Sequence, residues 1–424
     1  MSTAAAAPDP AATAAAASHW DALWLNVRLM PLTAADPAAT VRDGALAVRD
    51  GRIAWLGPRA ALPADAAAKR VHDGGGGWLL PGFIDCHTHV VHAGQRSEEF
   101  ELRMQGESYE AIARRGGGIL STVRTTRAAS EDALFAQSLP RVRNLLREGV
   151  TTLEVKSGYG LEPHSEARML RVARRLGREL PLRVRTTFLG AHAVPPEFAG
   201  RADDYITLLC DDMLPALAAD NLVDAVDAFC EHIAFSAAQV QRLFEVAQRL
   251  HLPVKLHAGQ LSDLGGAELV ARFGGLSADH LEEISDAGID ALRRAGCVAV
   301  LLPGAVHFLQ VKERPPVAKL RAAGVPMALA SDCNPGTSPM PSVLAALNLG
   351  CLLLGLTPVE ALAGATCHAA AALGLAHETG SLEPGKAADF ALWDVERPAQ
   401  LCATLGFNAC RQVVFGGELR PLQA

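Results

Sequence analysis

His87 and His89 close the run Pro81-Gly-Phe-Ile-Asp-Cys-His87-Thr-His89, a turn leading into an apolar stretch. Residues i and i+2 of a strand share a face, so a strand over Phe83 to His89 would aim both imidazoles at one ion. Alone, a His-x-His pair reads as two ordinary polar residues at a strand end. Three residues far downstream change that balance, because each also closes an apolar run: His257 in Pro253-Val-Lys-Leu-His257, His280 in Leu276-Ser-Ala-Asp-His280, and Asp332 in Pro326-Met-Ala-Leu-Ala-Ser-Asp332. Nitrogens from His87, His89 and His257 with a carboxylate oxygen from Asp332 form a mixed set that suits Zn²⁺ or Fe²⁺ and leaves room for a water. A divalent ion lowers the pKa of its water towards ~7 and polarises a carbonyl, which is the chemistry of hydrolysis. Asp332 could ligate the ion and also take the proton, while His280, one strand beyond His257, is placed for a substrate or proton-transfer role. Lys156 could in principle carry a carboxylated bridge between two metals. It lies on the second strand, directly before Ser157-Gly158, and one metal with a structural Lys156 is the simpler reading.

Residues so far apart in sequence need a scaffold that brings strand ends together. Strand-like runs end near His89, Lys156, Leu189, Glu231, His257, His280, Pro303 and Asp332, alternating with helical stretches at Glu131 to Glu148, His164 to Leu180, Ala237 to Leu250, Ala287 to Ala295 and Ser342 to Leu354. Eight βα units predict an α/β chain closed as a (β/α)8 TIM barrel over residues 81–379, with a doubly wound sheet as the alternative. In a barrel the C-terminal strand ends share one face, where the five candidates would converge. Short β runs flank this region: Leu23 to Val27, Gly44 to Val48 and Arg52 to Leu56 before it, Phe390 to Trp393 and Gln412 to Phe415 after it. Asp50-Gly51 between two of them is a hairpin signal. Since a lone hairpin is marginal in water, residues 20–80 and 380–424 are expected to combine as a composite β domain, a small β-sandwich formed from both termini. The Ala-rich stretch over residues 1–19 has no Lys or Arg and contains Asp9 and two prolines, so it reads as a disordered tail and not a targeting segment.

Composition narrows the function class. With 424 residues and 50% hydrophobic content the chain can bury a large core, and a net charge of −7 without any basic run argues against a nucleic-acid groove or an anionic membrane surface. A small-molecule substrate is expected. Nine cysteines without a Cys-x-x-Cys pair suit reduced, buried thiols in a cytoplasmic protein. Val343 to Leu356 is apolar but interrupted by Asn348 and too short to span a bilayer comfortably, so a buried helix is expected there. The Gly-rich pieces at residues 74–77 and 116–118 lack the Lys-Ser/Thr of a phosphate loop, and neither a dinucleotide fingerprint nor a Gly-x-Ser-x-Gly elbow competes with the metal scheme.

Pro-Gly-Phe-Ile-Asp-x-His-x-His resembles the first-strand signature of the amidohydrolase superfamily. Thr88-His-Val-Val-His-Ala-Gly-Gln-Arg-Ser-Glu-Glu-Phe100, Gly116-Gly-Gly-Ile-Leu-Ser121, Glu154-Val-Lys-Ser-Gly-Tyr-Gly160, Phe188-Leu-Gly-Ala-His192, Ser277-Ala-Asp-His-Leu281 and Ser331-Asp-Cys-Asn-Pro-Gly336 are similar to the imidazolonepropionase family of histidine degradation, over nearly the whole chain from about residue 20. The resemblance implies hydrolysis of 4-imidazolone-5-propanoate to N-formimidoyl-L-glutamate with one zinc or iron(2+) ion per chain on His87, His89, His257 and Asp332. It also implies substrate contacts from Arg96, Tyr159, His192 and Gln260, and from Asn334, Gly336 and Thr337 in the loop after the eighth strand. The residue types agree, because a propanoate tail asks for a planar cation such as Arg96, and Tyr109 and Tyr159 could each donate a hydroxyl to it. One departure stands out. Family members often carry an acidic residue in the turn after the fifth-strand histidine, where this chain reads Ala258-Gly259-Gln260. Gln cannot act as a general base, which leaves the proton to His280 or Asp332.

Two other functions fit parts of the pattern. A deaminase of a cyclic amidine would use the same three histidines and aspartate, but Arg96 and the Asn334-to-Thr337 loop favour a carboxylate-bearing ring. A noncatalytic scaffold on the same barrel would be expected to lose ligands, and all four are present. A symmetric homodimer is the expected assembly, being the commonest for soluble chains.

Overall fold

The computed structural model describes residues 19–107 and 117–421. The Ala-rich stretch up to residue 18 and Tyr109 lie outside the described residues. The chain opens with β1 (His19–Leu29), β2 (Val41–Arg49), β3 (Arg52–Pro58), β4 (Ala67–Asp73) and β5 (Trp78–Pro81). Asp50 and Gly51 join β2 to β3 with φ of 52° and 71°, the left-handed pair that a two-residue hairpin turn requires. The long β1 pairs antiparallel with β2, and parallel with β4 along its first half and with β5 at Arg28 and Leu29.

Eight parallel strands follow in sequence order: β6 (Phe83–Asp85), β7 (Val150–Lys156), β8 (Arg183–Ala191), β9 (Ala225–Cys230), β10 (Lys255–Ala258), β11 (Ser277–His280), β12 (Val298–Leu301) and β13 (Met327–Leu329). They are buried on both faces, which is why their sequences read as apolar runs and do not alternate. Helices return the chain between them, and their starts are chemically marked. Ser130 accepts from Ala133 N at the head of Glu131–Arg147, and Ser236 with Gln239 forms a capping box before Ala237–Arg249. Beyond β6 and β13 the ring closes through His89 N to Cys333 O at 2.9 Å and Asp332 N to His87 O at 3.1 Å.

The first barrel strand is shorter than the sequence suggests: it ends at Asp85, not His89. Asp85 explains this. Its carboxylate accepts from Ser331 N at 3.0 Å and Ser331 Oγ at 2.5 Å, taking a place that a backbone carbonyl would hold in a regular ladder. The chain from Cys86 to His89 stays between its neighbours all the same, since Thr88 O accepts from Lys156 N at 2.9 Å.

The chain ends with β14 (Phe390–Trp393), β15 (Cys410–Phe415) and β16 (Glu418–Arg420), and β14 pairs antiparallel with β5. Both termini therefore share one branched eight-stranded sheet, with a core of its own that includes Trp24, Leu46, Phe390, Leu392 and Val414. From that sheet the Trp393 ring packs 5.2 Å from the ring of Phe83 on the first barrel strand. All nine cysteines are unpaired and seven are buried. The helix Val343–Leu354 buries most of its residues, and among the described residues no helix is long and apolar enough to cross a membrane.

Candidate active site

His87, His89, His257, His280 and Asp332 meet at the C-terminal ends of β6, β10, β11 and β13, all nearly inaccessible to solvent. His87 Nε2 and His89 Nε2 lie 3.4 Å apart, and Asp332 Oδ1 lies 3.5 and 3.6 Å from them. Ligands ~2.1 Å from a tetrahedral ion would stand ~3.4 Å apart, so these three atoms have the spacing of a coordination sphere. The nitrogens point lone pairs at one another, and His257 Nε2 is buried without any hydrogen-bond partner. A cation removes both defects. Burial holds His87, His89 and His257 below the usual imidazole range, as neutral donors. Burial likewise raises the Asp332 carboxyl to about 7, a shift that a bound cation would oppose.

Below the histidines lies a layer of buried charge, of which only Lys156 stands out in the sequence. Asp279 Oδ2 is 2.6 Å from His87 Nδ1, and Asp227 Oδ2 is 3.0 Å from His257 Nδ1. The Asp279 contact fixes His87 Nδ1 as the protonated nitrogen and leaves Nε2 as the donor, and Asp227 offers His257 Nδ1 a carboxylate on the same side. Lys156 ties the carboxylates together, with Nζ 2.7 Å from Asp227, 3.0 Å from Glu154 and 3.7 Å from Asp279. Lys255 Nζ pairs with Glu154 at 2.9 Å and donates to Cys86 O at 2.9 Å. Burial alone would strip the proton from Lys156, but Asp227, Glu154 and Asp279 outweigh it and raise its pKa above the usual lysine range. An ammonium held this way is not available for carboxylation. A signal for part of this layer existed, since Glu154 and Lys255 each stand two residues before Lys156 and His257, on the same strand face.

A cavity of about 510 Å³ opens over the cluster. It is lined by Arg96, Tyr159, His192, Gln260, Asn334 and Thr337, with apolar walls from residues such as Phe229 and Val311. Glu99 Oε2 accepts from Arg96 Nε at 2.9 Å and Nη2 at 2.6 Å, occupying one edge of the guanidinium. The Nη1/Nη2 end keeps two N–H groups for a carboxylate. Gly336 belongs to the same arrangement, because a Cβ there would lie 2.0 Å from Arg96 Nη1. His192 stacks on His89 with centroids 5.3 Å apart, and Tyr159 lies tilted beside it at 5.8 Å. His192 Nδ1 lies 3.0 Å from Gly158 O, and burial keeps Tyr159 a neutral hydroxyl donor. Asn334 lines the cleft, but its amide is committed to its own loop: Oδ1 accepts from Gly336 N and Thr337 N, and Nδ2 donates to Asp332 O. The Gln260 loop is organised by Glu231, whose carboxylate accepts from Gln260 N at 2.8 Å, Leu261 N at 3.0 Å and Ser262 Oγ at 2.5 Å.

Comparison with known proteins agrees with this architecture. The amidohydrolase family model matches residues 78–419, and the bacterial imidazolonepropionase-like composite domain matches residues 44–68. The imidazolonepropionase of Ralstonia nicotianae is 67% identical over 400 residues, covering 94% of this chain and 98% of its own. The chain belongs to the imidazolonepropionases of the amidohydrolase family. The corresponding protein of Aromatoleum aromaticum is 60% identical, covering 94% and 97%, and that of Pseudomonas putida 58%, covering 93% and 98%. Among solved structures, an adenosine deaminase from Xanthomonas campestris with bound zinc is 19% identical with a TM-score of 0.65, over 94% of this chain and 92% of that one. A 5-methylcytosine deaminase from Klebsiella pneumoniae is 18% identical with a TM-score of 0.69, over 94% and 97%. At such identity these two show the fold alone. The family and the His/Asp cluster together indicate a divalent metal in an enzyme acting on a small molecule.

Proposed function

We propose that this chain hydrolyses 4-imidazolone-5-propanoate to N-formimidoyl-L-glutamate in histidine degradation, using one zinc or iron(2+) ion held by His87, His89, His257 and Asp332. The observation that carries the reading is Arg96, a cation lining the same cleft as the His/Asp cluster, in a chain whose relatives bear the imidazolonepropionase name. A divalent ion at that cluster supplies carbonyl polarisation and a more acidic water. The protein's own groups do the rest. Arg96 takes the propanoate, Tyr159 and His192 position the ring, and Gln260, Gly336 and Thr337 complete the wall. Asp332 directs Oδ1 at His87 and His89, which leaves Oδ2 to accept the water's proton. His280 stands where it can orient the ring carbonyl and pass the proton on. Oxygen adds to the carbonyl carbon, the ring C–N bond breaks, and the departing nitrogen takes the proton. The unpaired thiols support a cytoplasmic location.

Product analysis separates ring opening from deamination: the expected product has gained one water and no ammonia appears, whereas ammonia release in step with turnover defeats the reading. Elemental analysis of protein purified without added metal should find close to one ion per chain. Two tightly held ions, both needed for turnover, would reopen a bridging role for Lys156. For Arg96→Met, loss of two charge-assisted hydrogen bonds should raise KM about 10- to 100-fold while Tm moves by only about a few degrees. Unchanged affinity for a propanoate-bearing analogue would remove Arg96 from the substrate site.

A further inference from the structure

Glu282 has no explanation in the site as described so far. Its side chain is 2% exposed, and Oε2 has no hydrogen-bond partner. A carboxylate buried without hydrogen bonds is costly and uncommon in a native structure. Among the described residues the one ion-pair partner Glu282 has is His280, whose Nδ1 stands 3.8 Å from Glu282 Oε1 and is itself buried and unpartnered. A buried donor nitrogen and a buried carboxylate with one unpartnered oxygen therefore lie 3.8 Å apart.

The backbone is bent to make this meeting possible. His280 and Leu281 have φ of 84° and 74°, a left-handed pair at two residues that are not glycine, a conformation that persists only where the surroundings hold it. The bend is held by Leu281 N to Ala258 O at 3.1 Å and Glu283 N to Gly259 O at 2.8 Å. It turns the chain back at the end of β11, so that Glu282 comes to lie behind the imidazole that precedes it by two residues. His87 and His257 each have a carboxylate at Nδ1, Asp279 and Asp227. His280 repeats that pattern with a carboxylate from its own turn.

We infer that Glu282 is the positioning residue for His280: its carboxylate accepts from Nδ1–H once substrate fills the cleft, which fixes the tautomer and presents Nε2 to the reacting ring. Hydrogen bonds of this kind are often long before the substrate complex forms. The inference rests on the role proposed above for His280, and the experiment separates the two.

Zinc-loaded parent, Glu282→Met, Glu282→Gln and His280→Gln are compared on 4-imidazolone-5-propanoate. Met removes the acceptor, whereas Gln keeps an amide oxygen that can still accept from Nδ1–H. Glu282→Met should lower kcat about 10- to 100-fold with KM within about two-fold and zinc content unchanged, and Glu282→Gln should recover most of the loss. With ¹⁵N-labelled histidine and a substrate analogue bound, the Nδ1–H signal absent from His280→Gln should be present in the parent and in Glu282→Gln, and should give way to an Nε2–H pattern in Glu282→Met. Parental kcat in Glu282→Met overturns the inference, as does a Gln variant impaired as deeply as Met. If Glu282→Met does not fold, the tautomer and rate of Glu282→Gln decide alone. Parental turnover in His280→Gln would defeat the role given to His280, while an inert His280→Gln beside an unimpaired Glu282→Met defeats only the role of Glu282.

Discussion

Asp332→Asn is expected to leave a folded protein that still binds metal but turns over ~10²–10⁴-fold more slowly, the usual worth of a general base. The backbone favours survival of the fold. Asp332 has φ of 52°, a left-handed conformation that Asn tolerates well, and its main-chain bonds from N to His87 O and from Asn334 Nδ2 to its own carbonyl are untouched by the change. Asn can still turn an oxygen towards His87 and His89. It cannot carry a negative charge there or take the water's proton. His280→Gln should be slower than the parent by a smaller factor if His280 mainly orients the carbonyl. Single-turnover rates on metal-replete variants test the order of the two defects. An active Asp332→Asn beside an inert His280→Gln would transfer the base role to His280.

Lys156→Met should reduce both stability and metal binding. Removing one partner from a buried ion pair leaves an uncompensated charge at a cost of about 3–5 kcal/mol. Glu154 keeps Lys255, so the burden falls on Asp227, whose Oδ2 loses its 2.7 Å contact with Lys156 while still facing His257 Nδ1. With its orienting carboxylate disturbed, His257 should hold a divalent ion about 10- to 100-fold more weakly. Denaturant unfolding of the metal-free chain measures the first effect, and competition with a chelator measures the second. A variant as stable as the parent with undiminished zinc affinity would show that Lys156 only fills space.

The two predictions draw on different depths of legibility. Asp332 could be read from sequence because it ends an apolar run, as do His257 and His280, and the barrel rule then places all three on one face. The buried layer was harder to see. Glu154, Lys255 and Asp279 are printed inside the same runs, but a charged residue within a parallel strand has no meaning until its partner on another strand is known, and those pairings span up to 192 positions. Asp85 is the clearest loss: its bonds to Ser331 end the first strand early, and no local pattern announces a side chain standing in for a backbone carbonyl. Glu282 was hidden for a further reason. Its position depends on the left-handed turn at His280 and Leu281, where neither residue type signals positive φ.

The sheet shared by the two termini has a kinetic consequence. Trp78 Nε1 donates to Glu396 O across 318 positions, Gly82 N donates to Asp389 O, and Trp393 packs on Phe83 beside the strand that leads to His87 and His89. The His87–His89 segment is synthesised early, yet its support comes from residues synthesised almost last. Until β14 emerges from the ribosome the edge of β5 is unpaired, and closing so long a loop is among the slowest kinds of contact a chain makes. The strands that back the His87–His89 segment are therefore completed only when the C-terminus has been made, and the proposed metal site is expected to gain that support late in folding.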